Sequence, residues 1–312
     1  MTIQNNFSIV IPLYNESKIF EDLKTRVVKA CESTQRVYEV IFVDDGSSDN
    51  SLDLIRTAAK QNPSIKYLSF SRNFGHQVAV SAGIQEASQD AVIVMDGDLQ
   101  DPPELIGALL KKWEEGFDVI YAVRKRRKEN ALLKFCYFTF YRILQMISEI
   151  HIPLDAGDFC LMDRKVVNVL KSMPERNRYV RGIRAWAGFR QVALPYDRDA
   201  RAGGETKYSF AKLLSLATSG ITSFSQFPLR LCGYLGYSIA LVSSLGFAYG
   251  LISKVFFDQT PQGWASTTMA IFFIGGVQLV MLSVVGSYVG RIYTEVQGRP
   301  LYVVQESNVQ AP

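Results

Sequence analysis

Short runs of β-branched and aromatic residues alternate with amphipathic segments from Phe7 to about Tyr196. FSIVIPL (7–13), YEVIFVD (38–44), IKYLSF (65–70), AVIVMD (91–96) and FDVIYAV (117–123) have the length and composition of strands buried on both faces. Apolar residues recur at helical spacing near 17–33, 49–61, 75–87 and 103–115. That alternation predicts right-handed βαβ units and an α/β, largely parallel sheet with helices on both faces. Ligands of such sheets gather at the carboxyl ends of the strands.

The pattern changes after Phe227, because residues 231–253 and 259–290 contain no charged side chain. Each run exceeds the ~20 residues that cross a bilayer as a helix, which predicts two membrane-spanning helices, roughly 231–256 and 265–290. Lys207, Lys212, Arg230, Arg291 and Arg299 flank one side, and the connecting FDQTPQGW carries only Asp258. The positive-inside rule then puts both chain ends and the large N-terminal part in the cytosol. Lys254 can snorkel to the far interface. Gly246 with Gly250 and Gly286 with Gly290 form GxxxG pairs, which would pack the helices on each other or on a second copy of the chain. In SFAKLLSLATSGITSF (209–224), apolar residues fall on one helical side, and ALLKFCYFTFYRILQMISEI (131–150) is apolar but interrupted by Lys134, Arg142 and Glu149. The first is expected to lie along a membrane surface, and the second to lie along the membrane or to pack on the domain.

Composition adds little until its distribution is considered. The 312 residues are 48% hydrophobic with a formal net charge of +4, yet RKRRK at 124–128 concentrates cations in one place. No aromatic residue interleaves that run and an apolar segment follows it, so anionic lipid head groups explain it better than nucleic acid. Cys31, Cys136, Cys160 and Cys232 form no CxxC, and the histidines are His76 and His151. Neither a disulfide framework nor a zinc site is supported. The N-terminal MTIQNNFSIVIPLYN has no basic region ahead of its apolar stretch, which suits a first strand and not a signal peptide.

The densest chemistry is IVMDGDLQDPPE at 93–104, where four carboxylates follow a strand. Asp101, Pro102 and Glu104 match a helix start, with Asp101 as cap and Glu104 completing a capping box. Asp96 and Asp98 flank Gly97, which leaves room for a ligand against the backbone. A turn there brings both acids toward one divalent cation, with Gln100 as a neutral oxygen nearby. Oxygen ligation of this kind selects Mg2+ or Mn2+. VIFVDDGSSDNS repeats the arrangement, and Asp44 can accept an imide N–H of a nucleobase, whereas Asp45 is equally suited to capping the next helix. PLYNES places Tyr14, Asn15 and Glu16 beside the same crevice. Neither GxGxxG after the first strand nor GxxxxGK[ST] is present.

IVIPLYNE, VDDGSSDNS, SRNFGHQVAVSAG and MDGDLQDPPEL, in this order and spacing, resemble the nucleotide-sugar half of a family 2 glycosyltransferase with the GT-A fold. LDAGDFCLMDRKVV and RAGGETKYSF, followed by the two apolar runs, are similar to the polyprenyl-phosphate glycosyltransferases, a group that includes bactoprenol glucosyltransferases and dolichol-phosphate mannose synthases. The likeness covers essentially the whole chain. It implies a cytosolic catalytic domain over 1–200, an amphipathic juxtamembrane region over 201–228, two membrane helices over 229–293 and a cytosolic tail over 294–312. It also implies transfer of a hexose from a nucleoside diphosphate to a lipid phosphate with inversion. UDP-glucose is favoured by resemblance alone, with GDP-mannose as the alternative.

Carried over by position, the resemblance assigns Pro12, Tyr14, Glu16, Asp44 and Asp96 to the nucleotide. Asp96, Asp98 and Gln100 are assigned to the metal, and Arg124, Arg198, Arg201 and Lys207 to phosphate groups, mainly the acceptor's. Cys160 stands where many relatives have arginine in GDFRLM, which puts one phosphate contact in doubt. Two like charges ~4 Å apart repel by about 4 kcal/mol at an effective dielectric near 20, so cations must surround an acceptor phosphate that approaches a diphosphate. The acceptor's second pKa near 6 leaves it mostly dianionic, and a strong general base is then optional. Asp158, and secondarily Asp155, is therefore expected to orient the acceptor or oppose the developing anomeric charge, with turn capping around Gly157 as the bland alternative. His76 receives no role. A processive polysaccharide synthase would carry QxxRW and more spans, whereas RAW at 184–186 lacks the leading Gln. An inactive membrane-anchored nucleotide-binding scaffold is the reading from another class.

Overall fold

The computed structural model describes residues 5–124, 156–176, 178–196, 227–257 and 263–309. In chain order the elements are β1 (Phe7–Leu13), α1 (Phe20–Glu32), β2 (Tyr38–Asp44), α2 (Ser51–Gln61), β3 (Ile65–Phe70), α3 (His76–Glu86) and β4 (Ala91–Val94). A 3-10 turn (Pro103–Leu105) then leads into α4 (Ile106–Glu114), β5 (Val119–Arg124), β6 (Ala156–Asp163), α5 (Arg164–Ser172), α6 (Val180–Trp186) and β7 (Gln191–Tyr196). Last come α7 (Phe227–Phe257), α8 (Trp264–Val296) and β8 (Val304–Ser307).

The eight-stranded sheet runs β7-β5-β6-β4-β1-β2-β3-β8. Pairs β1–β2, β1–β4, β2–β3 and β5–β7 are parallel, and β4–β6, β5–β6 and β3–β8 are antiparallel. Every residue of β1 is buried, as a central strand covered on both faces requires. Its alternation divides the core. Phe7, Ile9, Ile11 and Leu13 join a cluster with Phe20, Leu23, Val27 and Cys31 of α1, whereas Val10 joins the opposite cluster with Ala79, Val80 and Ala82 of α3. Each large apolar side chain fully buried this way contributes roughly 1.5–3 kcal/mol. On β4, Val92 and Val94 face the α3 side, and on β6 so do Cys160 and Met162. That shared face decides where the functional side chains converge.

The sheet and its helices form one compact unit, which includes the C-terminal segment from Arg299. The α7–α8 pair belongs to a second unit ending at Gly298. Both are long continuous helices, of 31 and 33 residues, with exposed apolar side chains such as Leu241, Leu245, Phe256, Leu279 and Leu282. Among the described residues one segment, Phe273–Val296, is long and apolar enough to cross a bilayer by length and composition. In α7, glycine, serine and tyrosine dilute the apolar run that the absence of charge emphasised. A side chain at Gly236 would meet Met281 Cε at 3.9 Å, but at Gly246, Gly286 or Gly290 it would meet nothing within 4 Å. The described GxxxG positions therefore do not make the contact between α7 and α8. Segments 131–150 and 209–224 lie outside the described residues, as do 125–128 of the basic run.

Candidate active site

The antiparallel insertion of β6 beside β4 builds the centre of the site. Val94 pairs with Cys160, and continuing that register past the end of β4 sets Asp96 opposite Asp158. His76, the first residue of α3, reaches between them, with Nε2 3.4 Å from Asp96 Oδ1 and 3.6 Å from Asp158 Oδ2. Arg181 of α6 grips Asp158 in a bidentate pair, Nε to Oδ1 at 2.6 Å and Nη2 to Oδ2 at 2.9 Å. Gln77 Nε2 donates to Asp158 Oδ2 at 3.4 Å, and its Oε1 accepts from Val180 N at 3.0 Å, which ties the start of α6 to the same carboxylate.

These neighbours set opposite proton affinities. Burial pushes Asp96 up to about 6; His76 opposes that shift, and the Asp158, Asp101 and Asp98 carboxylates add to it. Burial would also raise Asp158, but the cationic side of His76 and the paired hydrogen bonds and charge of Arg181 overcome it and hold this carboxylate well below its ordinary range. His76 is raised: partial desolvation works against its charged form, but the Asp158 and Asp96 carboxylates beside it outweigh that effect. Asp158 is thus a fixed anion and a poor proton acceptor.

The loops after β1 and β2 are laced together. Asn15, in the left-handed region with φ 56°, accepts from Ser48 N at 2.8 Å and donates its own N–H to Ser47 Oγ at 2.9 Å. Glu16 N donates to Ser51 Oγ at 3.0 Å and Ser17 N to Asp49 Oδ2 at 3.1 Å. Tyr14 stands exposed above this seam, and Pro12 is buried within β1. Asp44 is 1% exposed; it accepts from Ser47 N at 3.2 Å and Ser69 Oγ at 2.8 Å. Asp45 does not cap α2. It accepts instead from the N–H groups of Phe74 (2.7 Å) and Gly75 (3.0 Å), fastening the loop that delivers His76.

Gly46, at φ 69°, lies under that loop, and an added Cβ would fall 2.4 Å from the Arg72 carbonyl carbon and 2.7 Å from Asn73 N. Backbone cannot step aside as a side chain would. Gly46→Ala is expected to cost at least about 1–3 kcal/mol through φ strain alone and to lower the thermal midpoint by roughly 5–10 °C. A thermal melt checks this, and an unchanged midpoint would show that the loop yields.

The acidic segment differs in several places from the expectation. Gly97 is not a gap for a ligand, because a Cβ there would meet Leu13 Cδ2 at 2.4 Å and the Pro12 carbonyl oxygen at 3.0 Å. The glycine lets the segment press on the end of β1. Asp101 caps no helix: it is 3% exposed and accepts a hydrogen bond from the Tyr196 hydroxyl of β7. Glu104 forms no capping box and instead receives Arg26 of α1 in two bonds, at 3.1 and 2.9 Å. Leu99 sits at φ 58°, a strained conformation for leucine, and the chain is held there by burial of its side chain. Asp98 Oδ1 turns back to accept from Gln100 N at 3.1 Å.

The Glycosyl transferase family 2 profile matches residues 8–170. The uncharacterized glycosyltransferase YkcC of Bacillus subtilis is 46% identical over 96% of this chain and 94% of its own. The SfII prophage-derived bactoprenol glucosyl transferase of Shigella flexneri is 40% identical, over 96% of this chain and 98% of its own. This chain belongs to glycosyltransferase family 2. Its sheet is the GT-A arrangement of that family. A solved mannosyltransferase, PcManGT from Pyrobaculum calidifontis in complex with GDP-Man and Mn2+, is 14% identical with a TM-score of 0.45, over 95% of this chain and 88% of that one.

Family 2 chemistry raises the question of whether these residues suit a divalent cation. Asp96 Oδ1 is buried without a hydrogen-bond partner, and ligand atoms of His76, Asp96 and Asp158 lie within 4.8 Å of one another. An orphaned carboxylate oxygen beside an imidazole nitrogen fits a cation that takes mixed nitrogen and oxygen ligands. His76 received no role in the sequence because the acids it meets, Asp96 and Asp158, lie 20 and 82 residues away, and Arg181 was missed because its partner lies 23 residues away on another element. Arg184, one helical turn beyond Arg181, is 1% exposed, with Nε and Nη1 lacking partners and its guanidinium 5.6 Å from the Tyr121 ring. Arg124 ends β5 opposite Tyr196 of β7. Asp155, Arg198, Arg201 and Lys207 lie outside the described residues.

Proposed function

We propose that this family 2 enzyme transfers a hexose, with inversion, from UDP-glucose to a polyprenyl phosphate at the cytosolic face of a membrane that α7 and α8 span. The observation that carries this reading is the near full-length likeness to a protein named bactoprenol glucosyl transferase. The apolar segment Phe273–Val296 supports it by offering an anchor near such an acceptor.

In this reading Tyr14, Pro12 and Glu16 frame the nucleoside at the carboxyl ends of β1 and β2. Asp44 would accept the base imide with lone pairs beyond the two it now uses, after a small shift of the Ser47–Ser48 turn that covers it. Asp96, with Asp98, Gln100 and His76, would hold Mg2+ or Mn2+, which when bound neutralises the diphosphate and its departing charge. Arg124, Arg198, Arg201 and Lys207 would receive the acceptor phosphate. Asp158, locked as an anion by Arg181, would face the positive charge that develops at the anomeric carbon as the phosphate oxygen attacks. No side chain need take a proton, because the acceptor is already a dianion.

The test is a transfer assay with polyprenyl phosphate, a panel of UDP- and GDP-sugars, and Mg2+ or Mn2+, run beside Asp98→Ala and with chelator. Glucosyl transfer from UDP-glucose that chelator abolishes is expected. Transfer surviving both chelator and Asp98→Ala would remove the cation from the mechanism, and transfer from a GDP-sugar alone would reassign the donor.

A further inference from the structure

The C-terminal segment returns to the sheet. β8 pairs antiparallel with the outer edge of β3, with Leu68 opposite Ser307 and Ser69 opposite Glu306. Its docking is specific as well as edgewise. Glu306 takes both Nε and Nη2 of Arg56 at 2.6 Å, Ser71 N donates to Val303 O at 3.0 Å, and Tyr67 N donates to Asn308 Oδ1 at 2.6 Å. Tyr302 lies flat on Phe70, ring centroids 4.9 Å apart at 21°. Phe70 meets Phe74 edge to face at 5.7 Å, and the Arg72 guanidinium covers the Phe74 ring at 4.0 Å.

This chain of rings ends on the loop that carries His76. Phe74 and Gly75 donate their N–H groups to Asp45, and the backbone of Arg72–Asn73 closes over Gly46. The Ser71–Gly75 loop is therefore gripped from below by the β2–α2 turn and from the side by Tyr302 and its partners. Edge strands are commonly covered to prevent unwanted pairing, but edge covering alone does not require an aromatic stack that continues into a functional loop. Gln297–Leu301 is all that separates the end of α8 from Tyr302.

We propose that Tyr302 is a positioning residue: the segment on which α8 ends holds, through Phe70 and Phe74, the loop that sets His76 beside Asp96 and Asp158. The apolar helix pair is then followed at once by the clamp that keeps the donor half of the site in register. Losing the stack frees the loop while leaving the acids in place.

Two readouts test this, and only the second rests on the nucleotide-sugar reading above. Hydrogen exchange over residues 71–76 of the full-length protein should quicken about tenfold in Tyr302→Ala and return to the wild-type rate in Tyr302→Phe, which keeps the ring. KM for the donor sugar should rise roughly tenfold in the same variant with a smaller fall in kcat, since a loosened loop weakens donor binding while Asp96 and Asp158 stay in place. Tyr302→Leu, which keeps apolar volume without the flat stack, is measured in its place if the alanine variant does not accumulate. Unchanged exchange at 71–76 in the alanine or leucine variant overturns the proposal whatever the activity, as does a Tyr302→Phe variant as fast as Tyr302→Ala. A wild-type protein that binds no nucleotide sugar would sink the functional reading and leave the exchange result to decide this one.

Discussion

Asp96→Ala is expected to lower transfer at least about a thousandfold and to remove saturable cation binding, measured by initial rates and by Mn2+ titration of the purified protein. The size follows from what Asp96 alone combines. It lies two residues past the end of β4, the strand beside β1, it faces both Asp158 and His76, and its Oδ1 is buried without a hydrogen bond. Desolvation and the neighbouring carboxylates lift this half-buried acid to about 6, a cost that a bound cation would offset. Alanine should remove that cost, so the variant is expected to melt no lower than the parent while losing activity. Stability retained with activity lost marks a functional residue. Transfer within tenfold of wild type would instead mean that Asp98 and Gln100 hold the cation without it. An inactive scaffold would show neither turnover nor cation binding in either protein.

The periodic signals located the first half of the sheet closely. The strand ranges 7–13, 38–44 and 65–70 coincide with β1, β2 and β3, and helices appear within a few residues of the expected 17–33, 49–61, 75–87 and 103–115. These elements are buried on both faces or amphipathic, so local composition and tertiary environment agree. What escaped were β6, β7 and β8. β6 reads AGDFCLMD, where Gly157 and Asp158 break the apolar alternation because that end of the strand faces the site instead of the core. β8 reads VQES, an edge strand whose polarity suits its exposure and conceals its pairing. Pairing of β8 with β3 is a contact between distant parts of the chain, and no local window contains both.

The acids show the same limit more sharply. Spacing alone gave Asp96 and Asp98 to one cation and Asp101 and Glu104 to a helix cap. The fold uses Asp101 to receive Tyr196 and Glu104 to receive Arg26, two side chains 95 and 78 residues away. It places against Asp96 a histidine and an aspartate from other elements. A capping box and a long-range ion pair require the same residue types, so composition could not separate them. Register could: once β6 is set antiparallel to β4, Asp158 must arrive opposite Asp96.

Arg181→Leu is expected to be the most destabilising single change at the site, because it strips a carboxylate that is 8% exposed of its bidentate partner. Breaking a buried pair from one side costs about 3–5 kcal/mol, and for a domain of this size that is a fall of roughly 10 °C in the thermal midpoint. The remaining donors, Gln77 Nε2 at 3.4 Å and His76 Nε2 at 3.6 Å, are too distant to replace it. Asp158→Asn added to Arg181→Leu removes the stranded charge, so the double variant should regain much of the lost stability. A double-mutant cycle should report a coupling of about 1–3 kcal/mol. Transfer should not return with it. A neutral amide cannot oppose positive charge at the anomeric carbon, and the double variant is expected to be folded yet at least about a hundredfold slower than wild type. If the double variant instead recovered turnover together with stability, the Arg181–Asp158 pair would be a brace for α6 against the sheet, and the fixed anion would have no part in the reaction.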